Sequence, residues 1–262
     1  MIWITGDLHG DMRRIRDFCK DTKTTIDDVI ICLGDVGLNY FCGDSSIKDI
    51  NDAFENPEEN PAIYRDFKQK NMVAKLPITL FCVRGNHEMR PEGIPDKYAH
   101  KETMFDGEVI IEDKYPNIVY AVDGEVYKFD DKQCLVIGGA YSVDKWYRLG
   151  CGRSWFADEI LSPEEMDSIY NKLGSHKDID IVLTHTSPHS WEKHYNDLFI
   201  DCVDQETVDK SMEDFLDSVD GKIDYKLWYF GHFHDDKNIS DKGVMLFNSV
   251  IPFGEKIKDE VG

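Results

Sequence analysis

The sequence predicts an α/β (α+β) protein in which two mixed β-sheets pack face to face and helices cover both. Two observations predict this arrangement: strand-like and helix-like segments alternate near both ends of the 262-residue chain, and its centre, from about Val109 to Gly138, is rich in strand patterns. No internal repeat, low-complexity segment or Pro/Gly/Ser-rich linker divides the sequence. Residues 1–262 are therefore predicted to form a single domain.

Five short apolar runs, rich in β-branched residues, end at glycine or polar turns and are predicted to be strands. Because they have no polar face, each is expected to be buried on both sides, as in a parallel sheet covered by helices. The runs are Ile2–Thr5, Val29–Leu33, Ile78–Val83, Ile179–Thr184 and Leu227–Phe230.

Between these runs, four segments are typical of helices. Asp11 is predicted to cap the first helix and Pro61 to open the second. The sequence Ser-Pro-Glu-Glu at Ser162–Glu165 has the pattern of a capping box and predicts the start of the third. The fourth is expected over about Asp204 to Val219. The acidic stretch Asn51–Asn60 is predicted to be a solvated loop.

The centre of the chain has a different pattern, in which apolar residues alternate or run together between Asp-Gly and Asp-Asp turns. The three segments are Ile118–Ala121, Glu125–Phe129 and Gln133–Ile137. Short strands separated by tight turns pair with their neighbours in sequence. The centre is therefore predicted to be an antiparallel meander.

The composition narrows the function classes before any motif is considered. The chain has 51 Asp and Glu residues against 30 Lys and Arg, a formal net charge of −21 at pH 7. Because broad binding to nucleic acid or anionic lipid depends on clustered cations, this balance argues against extended nucleic-acid binding and against a membrane partner. The hydrophobic content of 41% indicates a folded protein rather than a disordered acidic chain.

The expected location is the cytoplasm. The first ten residues, MIWITGDLHG, lack the basic leader of a secretory signal, and no apolar run approaches the ~18 residues of a membrane span. The seven cysteines are odd in number and form no C-x-x-C pair, which fits a reducing compartment better than a disulfide framework.

Each predicted strand leads directly into a short polar segment that contains histidine, aspartate or asparagine. Because ligand sites of α/β folds lie at the carboxyl ends of strands, these five segments can converge on one place. They are Gly6–Gly10 (Gly-Asp-Leu-His-Gly), Gly34-Asp35, Arg84–Glu88 (Arg-Gly-Asn-His-Glu), His185 and Gly231–His234 (Gly-His-Phe-His).

Carboxylate oxygens, imidazole nitrogens and an amide oxygen together suit Mn, Fe, Zn or a similar divalent ion. In Asp7-x-His9 and His232-x-His234, alternate residues of an extended segment lie on one side and can aim at a common centre. The neighbouring glycines are expected where the backbone needs positive φ or where no Cβ fits. One such motif alone is more often a plain turn, but five in this order predict a metal centre.

The series Gly-Asp-x-His-Gly, Gly-Asp, Gly-Asn-His-Glu, Thr-His and Gly-His-x-His resembles the calcineurin-like metallophosphoesterase superfamily, from residue 6 to residue 234. The resemblance implies a four-layer αββα sandwich and a centre of two divalent metal ions. It assigns Asp7, His9 and His234 to the first ion, Asp35 to both ions, and Asn86, His185 and His232 to the second. His87 is implied to be catalytic, stabilising the transition state or protonating the leaving oxygen, and Glu88 to support the turn.

The second motif departs from the phosphoprotein phosphatases of the superfamily, which continue as Gly-Asp-x-x-Asp-Arg-Gly. Their second Asp orients the catalytic histidine, whereas this chain has Leu38 at that position. Asn39 and Asp44 are the candidates for a substitute partner of His87. The departure argues against a phosphoserine phosphatase, and Gly231–His234 is similar to the phosphodiesterase-like branches.

The resulting hypothesis is a phosphoesterase that hydrolyses a small phosphomonoester, phosphodiester or nucleotide by attack of a hydroxide bridging the two ions. A phosphoprotein phosphatase of the same superfamily is the first alternative, and a non-catalytic protein-interaction scaffold is the second. Because such scaffolds have lost metal ligands, the complete ligand set favours an enzyme.

The segment from Tyr141 to Phe156 is predicted to form a loop over the site. Arg148 or Arg153 could bind a phosphate with the guanidinium fork, and Tyr141 or Trp155 could stack on a base or ring of the substrate. The alternative is that the aromatic side chains only pack the loop and that the arginines lie in solvent.

Overall fold

The computed structural model describes residues 1–174, 178–198 and 207–258. The strands in these ranges are β1 (Ile2–Thr5), β2 (Val29–Cys32), β3 (Thr79–Cys82), β4 (Ala99–Met104), β5 (Gly107–Glu112), β6 (Ile118–Ala121), β7 (Val126–Phe129), β8 (Lys132–Ile137), β9 (Ile181–Thr184), β10 (Leu227–Phe230), β11 (Lys237–Asn238), β12 (Gly243–Met245) and β13 (Val250–Pro252). The α-helices are α1 (Met12–Thr22), α2 (Ile50–Glu55), α3 (Ile63–Val73), α4 (Lys145–Gly150), α5 (Pro163–Leu173) and α6 (Ser211–Asp220).

The strands form two mixed sheets. The first has the order β13-β1-β2-β3-β6-β5-β4 and the second the order β11-β12-β10-β9-β8-β7. The interior strands β1, β2, β3 and β6 of the first sheet are parallel, as are β12, β10, β9 and β8 of the second. Parallel neighbours end at the same edge of a sheet, so the segments that follow them lie together.

Three apolar cores hold the layers. The core between the sheets contains Phe81 of the first sheet and Tyr127 of the second, both with no exposed surface. Helices α1 and α3 cover the outer face of the first sheet through residues such as Ile15 and Phe67. Helices α5 and α6 cover the outer face of the second, where Leu216 is fully buried. The predicted four-layer αββα sandwich is confirmed.

Where the signal is local, the predicted elements agree with the structure. All five predicted terminal strands are present to within two residues at either end, and their interior residues are buried. The capping box also forms: Ser162 Oγ accepts the Glu165 N–H at 3.2 Å, and Glu165 Oε2 accepts the Ser162 N–H at 2.7 Å.

Helix α1 begins directly after Asp11, as predicted, but two details of the other predicted helix starts are wrong. The Asp11 side chain does not cap α1, because its carboxylate accepts Nε–H of Arg13 at 3.2 Å instead. Helix α3 begins at Ile63 rather than at Pro61, with Asn60 Oδ1 accepting the N–H of Ala62 at 2.9 Å. The fourth predicted helix corresponds to α6, and its predicted start at Asp204 lies outside the described residues.

The acidic stretch Asn51–Asn60 is not a loop. It forms most of α2 and a 3₁₀ turn at Pro57–Glu59. Asp49 starts the helix by accepting the backbone N–H of Asn51 at 2.9 Å, and Phe54 packs into the first core with 3% of its surface exposed. The charged residues do lie on the exposed face of the helix, but the loop prediction missed its short apolar face.

The predicted central meander is divided between the two sheets. β5 and β6 pair antiparallel in the first sheet, and β7 and β8 pair antiparallel in the second. The chain therefore crosses from one sheet to the other between β6 and β7. Strand β4 was not predicted because it lies at the edge of the first sheet and its residues are mostly exposed and polar.

Two further observations bear on the environment of the chain. Six cysteines are free in the described ranges, five of them buried, while Cys202 lies outside these ranges. Among the described helices, none has both the length and the apolar character needed to cross a bilayer.

Candidate metal centre

The five polar segments meet at the carboxyl ends of β1, β2, β3, β9 and β10. Backbone groups of different segments bind the two buried aspartates: the N–H of His232 donates to Asp7 Oδ1 at 2.9 Å, and the N–H of His87 donates to Asp35 Oδ1 at 2.9 Å. The N–H of His9 donates to the Asp35 carbonyl at 2.7 Å. Hydrogen bonds between neighbouring segments thus hold the backbone of the site in place without a bound ligand.

A first group of ligand atoms comes from Asp7, His9 and His234, which all lie within 4.8 Å of one another. The Nε2 atoms of the two histidines are 2.8 Å apart, and Asp7 Oδ2 lies 3.3 Å from that of His234 and 3.6 Å from that of His9. Asp7 Oδ2 is buried and has no hydrogen-bond partner in the described part of the chain. An unpaired buried carboxylate oxygen facing two imidazole nitrogens fits a metal cation between them.

The charge state of Asp7 agrees with this fit. Burial alone would raise the pKa of its carboxyl, but the nearby imidazoles of His234 and His9 outweigh burial and hold that pKa below its usual range. Asp7 is therefore ionised at neutral pH, as a metal ligand must be.

A second group is formed by Asn86 and His185. His185 Nδ1 lies 2.7 Å from the Leu33 carbonyl and donates to it, which leaves Nε2 facing the site. Asn86 Nδ2 donates to Ser142 Oγ at 2.8 Å, which turns Asn86 Oδ1 toward His185 Nε2, also at 2.8 Å. A proton or a metal cation can join this close N···O pair, and an imidazole nitrogen and an amide oxygen are both metal-ligand types.

Asp35 lies between the two groups. Its Oδ1 is 3.7 Å from Nε2 of His185, and its Oδ2 is 3.9 Å from Nδ1 of His9. Burial would raise the pKa of this carboxyl, but the charges of His87 and His185 lower it below the ordinary value. Ligand atoms of Asp35, Asp7 and His185 lie within 4.8 Å of one another, so Asp35 is close to a member of each group.

His232 lies beside the second group, with its ring centroid 5.0 Å from that of His185. Burial lowers the pKa of His232 to about 3, and the charge of His185 adds to the effect. The imidazole is therefore neutral, which is the form that binds metals. In the described structure its ring nitrogens do not fall within the closest ligand groups.

The ligands require an unusual backbone. His9, Asp35, His232 and His234 have φ values of 46°, 45°, 67° and 56°, in the left-handed region that costs about 1 kcal/mol for a residue with a Cβ. Gly85 gives them room, because a Cβ there would lie 2.0 Å from Asp35 Oδ1. As expected, Glu88 supports this turn: Oε1 accepts the N–H of Gly85 at 3.0 Å, and Oε2 accepts that of Gly37 at 3.2 Å.

The partner of His87 differs from both candidates named from the sequence. Among the described residues, neither Asn39 nor Asp44 makes a hydrogen bond to His87; Asp44 instead accepts from Ser46. The neighbour of His87 Nε2 is Nη2 of Arg148, at 3.2 Å. This arginine lies on α4 and is 8% exposed. From the sequence it had been predicted only to contact a phosphate.

Arg148 is itself held on two sides. Its Nε donates to both carboxylate oxygens of Asp144 at 2.8 and 2.7 Å, and its Nη1 donates to the Tyr40 hydroxyl at 2.8 Å. Nη2 carries two N–H bonds and, within the described ranges, has only His87 as a partner, so one N–H remains for a substrate oxygen.

The other predicted substrate residues are spread along the loop. Tyr141 lines a cavity of about 360 Å³ beside the metal centre, called here the Tyr141 cavity. Arg153 is exposed, lies with its guanidinium 5.2 Å from the ring centre of Tyr147, and does not line this cavity. Trp155 packs under Lys145, whose Nζ lies 4.3 Å from a ring centre of the indole. Glu213, which does line the cavity, carries no motif that sequence reasoning could have used.

Comparison with solved structures agrees with the fold. One crystal structure is 11% identical in sequence, with a TM-score of 0.51. The alignment covers 94% of this chain and 88% of the other protein. The structure of TT1561 of Thermus thermophilus is 14% identical, with 93% and 87% covered and a TM-score of 0.45. At this identity the first likeness concerns the fold alone. No curated protein matches the chain.

The family comparison covers more than the ligand motifs. Residues 1–236 match the family described as calcineurin-like phosphoesterase, a range that contains all seven candidate ligands. Members of that family are metal-dependent hydrolases of phosphate esters. The chain therefore belongs to the calcineurin-like phosphoesterase family and is a metal-dependent phosphoesterase.

Proposed function

We propose that the chain hydrolyses a small phosphate ester at a dinuclear centre of divalent ions. Asp7, His9 and His234 hold the first ion, Asn86, His185 and His232 hold the second, and Asp35 binds both. The observation that carries this proposal is the pair of acceptor clusters, one around the unpaired oxygen of Asp7 and one between His185 and Asn86. Asp35 faces both clusters, which supports its bridging role.

Divalent ions of the Mn, Fe or Zn kind, when bound there, lower the pKa of water to roughly 7 and offset the charge of the phosphate. The chain supplies the remaining steps. His87 lies beside the centre, with Nε2 3.9 Å from Asp35 Oδ2, and is assigned to the leaving oxygen or to the transition state. Arg148 orients His87 and directs its remaining N–H toward a phosphate oxygen.

The size of the Tyr141 cavity supports a small substrate over a phosphoprotein. A volume of about 360 Å³ lies in the range of small-molecule sites. Leu38, which replaces the aspartate of the phosphoprotein phosphatases, is fully buried and offers His87 no polar partner. The substrate class therefore comprises small phosphomonoesters, phosphodiesters and nucleotides, with Tyr141 stacking on a ring and Arg153 as an outer phosphate contact.

The free cysteines, five of them buried, support the proposed cytoplasmic location. Thiols remain unpaired in reducing compartments.

The proposal is tested with the purified, Mn-loaded protein on p-nitrophenyl phosphate, bis-p-nitrophenyl phosphate and a phosphoserine peptide. We expect hydrolysis of at least one of the nitrophenyl esters, two bound ions per chain by elemental analysis, and loss of activity in Asp35→Asn. Asp44→Asn is the matched control, because Asp44 binds Ser46 outside the centre.

Equal activity in Asp35→Asn and the wild type, or the absence of stoichiometric metal, would overturn the proposal. Hydrolysis of the phosphopeptide alone would favour the phosphoprotein phosphatase. Metal binding without turnover on any of the three would favour the scaffold.

A further inference from the structure

The Tyr141 cavity joins the metal centre to a mostly apolar space. At one end it is lined by Asn86, His232 and His234, which are ligands of the proposed centre. Its other walls are mainly apolar or aromatic side chains, namely Tyr141, Val143, Leu198, Val208 and Phe233. An ester whose phosphate lies at the metals would place its organic group in this space.

Ser142, Asp144 and Lys210 also line the cavity, and one further polar group is a buried carboxylate. Glu213, in the first turn of α6, lines the cavity and is only 4% exposed. Its Oε1 accepts the hydroxyl of Thr186 at 3.0 Å. Its Oε2 is buried and has no hydrogen-bond partner in the part of the chain that the structure describes. A buried carboxylate oxygen without a donor is unfavourable unless a ligand supplies one.

Lys210, which also lines the cavity, is paired with another carboxylate. The ammonium group of Lys210 lies 2.6 Å from Glu192 Oε1. Burial raises the pKa of Glu213 to about 7, against hydrogen bonds and the charge of Lys210 that lower it. Above pH 7 the carboxyl is ionised and acts only as an acceptor.

We propose that the Tyr141 cavity binds the organic group of the substrate and that Glu213 is its specificity-determining residue, accepting an N–H or O–H of that group. The inference rests on the proposed function for the position of the phosphate. It narrows the substrate class to phosphate esters of an apolar or aromatic group that carries an amine or hydroxyl within reach of Glu213. Apolar walls fix the ring by contact, and the buried acceptor Glu213 distinguishes it from rings of equal size.

The test uses phosphonates that cannot be hydrolysed, so that binding is read independently of turnover. The Mn-loaded protein is titrated at pH 8 by calorimetry with 3- and 4-aminobenzylphosphonate and with their methyl isosteres, 3- and 4-methylbenzylphosphonate. We expect one of the amines to bind about 10- to 100-fold more tightly than its methyl isostere, the usual effect of one hydrogen bond to a charged group.

Two variants assign this preference to Glu213. Glu213→Leu removes the acceptor at similar volume and is expected to bring the ratio of the two dissociation constants close to one. Asp214→Asn is the matched control on the same helix, because Asp214 is 64% exposed, binds His189 and does not line the cavity. It should leave the ratio unchanged.

A ratio near one in the wild type overturns the inference, even if Glu213→Leu does not fold. A preference that survives in a folded Glu213→Leu variant overturns it as well. Hydrolysis of p-nitrophenyl phosphate by the same preparations separates the two proposals. Turnover without an amine preference rejects the role of Glu213 alone, whereas an amine preference without turnover rejects the proposed hydrolysis alone.

Discussion

The side chain beside His87 is the donor Arg148, and not an acceptor such as the aspartate of the phosphoprotein phosphatases. The histidine therefore accepts a hydrogen bond in this contact where it would otherwise donate one. A guanidinium can only donate, so Nε2 of His87 must accept from Arg148 and the ring proton lies on Nδ1. Burial lowers the pKa of His87, and the charge of Arg148 adds to that lowering while Asp35 opposes it. An aspartate partner would instead stabilise the imidazolium form.

Replacing His87 should separate catalysis from metal binding. In His87→Ala we expect two ions per chain to remain, because no ligand is removed, and kcat to fall about 100- to 1,000-fold through the loss of an acid–base group. Elemental analysis and steady-state kinetics on p-nitrophenyl phosphate measure the two quantities. Loss of metal from this variant would show that the role assigned to His87 is wrong.

Arg148 should influence kcat more than substrate binding if it positions His87. Arg148→Lys retains the charge but loses the fork that joins Asp144, Tyr40 and His87, and we expect kcat to fall about 10- to 100-fold with a smaller change in KM. Arg16→Lys serves as the control, since Arg16 is exposed and pairs with Asp17 on α1. A change confined to KM would mean that Arg148 only binds the phosphate.

The sequence predicted which residues gather at the centre because each ligand follows a recognisable strand within a few positions. The partner of His87 could not be found in this way. Arg148 is 61 residues further along the chain and reaches His87 only because α4 folds back over the site. Glu213 was missed for a similar reason, since its function depends on burial rather than on any motif.

Helix α3 is connected through one buried carboxyl to the segment Tyr40-Phe41, which contacts Arg148. Asp66 is 1% exposed, and its Oδ2 accepts the backbone N–H of Phe41 at 2.8 Å. Phe41 follows Tyr40, whose hydroxyl accepts from Arg148. The packing of α3 on the first sheet thus fixes the position of the group that orients His87.

Asp66 should make stability depend on pH. Burial raises its pKa from 3.8 to about 8, although the charge of Lys70 opposes the effect, so between these values the folded state binds the proton more tightly than the unfolded state. The stability that Asp66 contributes is present at low pH and is lost as the pH rises toward 8.

Compared with Asp66→Asn, the wild type should lose up to about 3 kcal/mol of unfolding free energy between pH 5.5 and pH 8, at about 1.36 kcal/mol per pH unit. Urea unfolding at both pH values measures the difference. Asp52→Asn, at an exposed position of α2, is the control and should follow the wild type. Parallel curves for Asp66→Asn and the wild type would contradict the assigned pKa.

At the level of elements, prediction succeeded where the signal is local. The capping box at Ser162 needs only three residues, and the buried strands need only their own apolar runs. It failed where tertiary contacts decide the outcome. The antiparallel strands of the centre are assigned to two sheets by packing that no local pattern records. The missing cap of Asp11 is a different case, because its competitor, Arg13, is only two residues away.

For the whole molecule, metal binding should stabilise the fold. The first group joins β1 to the segment after β10, across the interface of the two sheets, so the ions bind the folded chain and not the unfolded one. At a free Mn concentration of about 100 times Kd we expect about 2.7 kcal/mol of added stability, or roughly 5–10 °C in Tm. Differential scanning calorimetry with and without chelator measures the shift. Asp7→Asn should abolish it, and an equal shift in that variant would contradict the assigned ligands.

The separation of the two histidines in the first group has a consequence for synthesis of the protein. His9 and His234 are 225 positions apart, yet their Nε2 atoms lie 2.8 Å from each other. A chain emerging from the ribosome exposes its first two ligands early, but it has no complete site until the second sheet has been made and docked. On the proposed ligand assignment, metal capture therefore waits for the second sheet, and a chain truncated before His234 lacks a ligand of the first group.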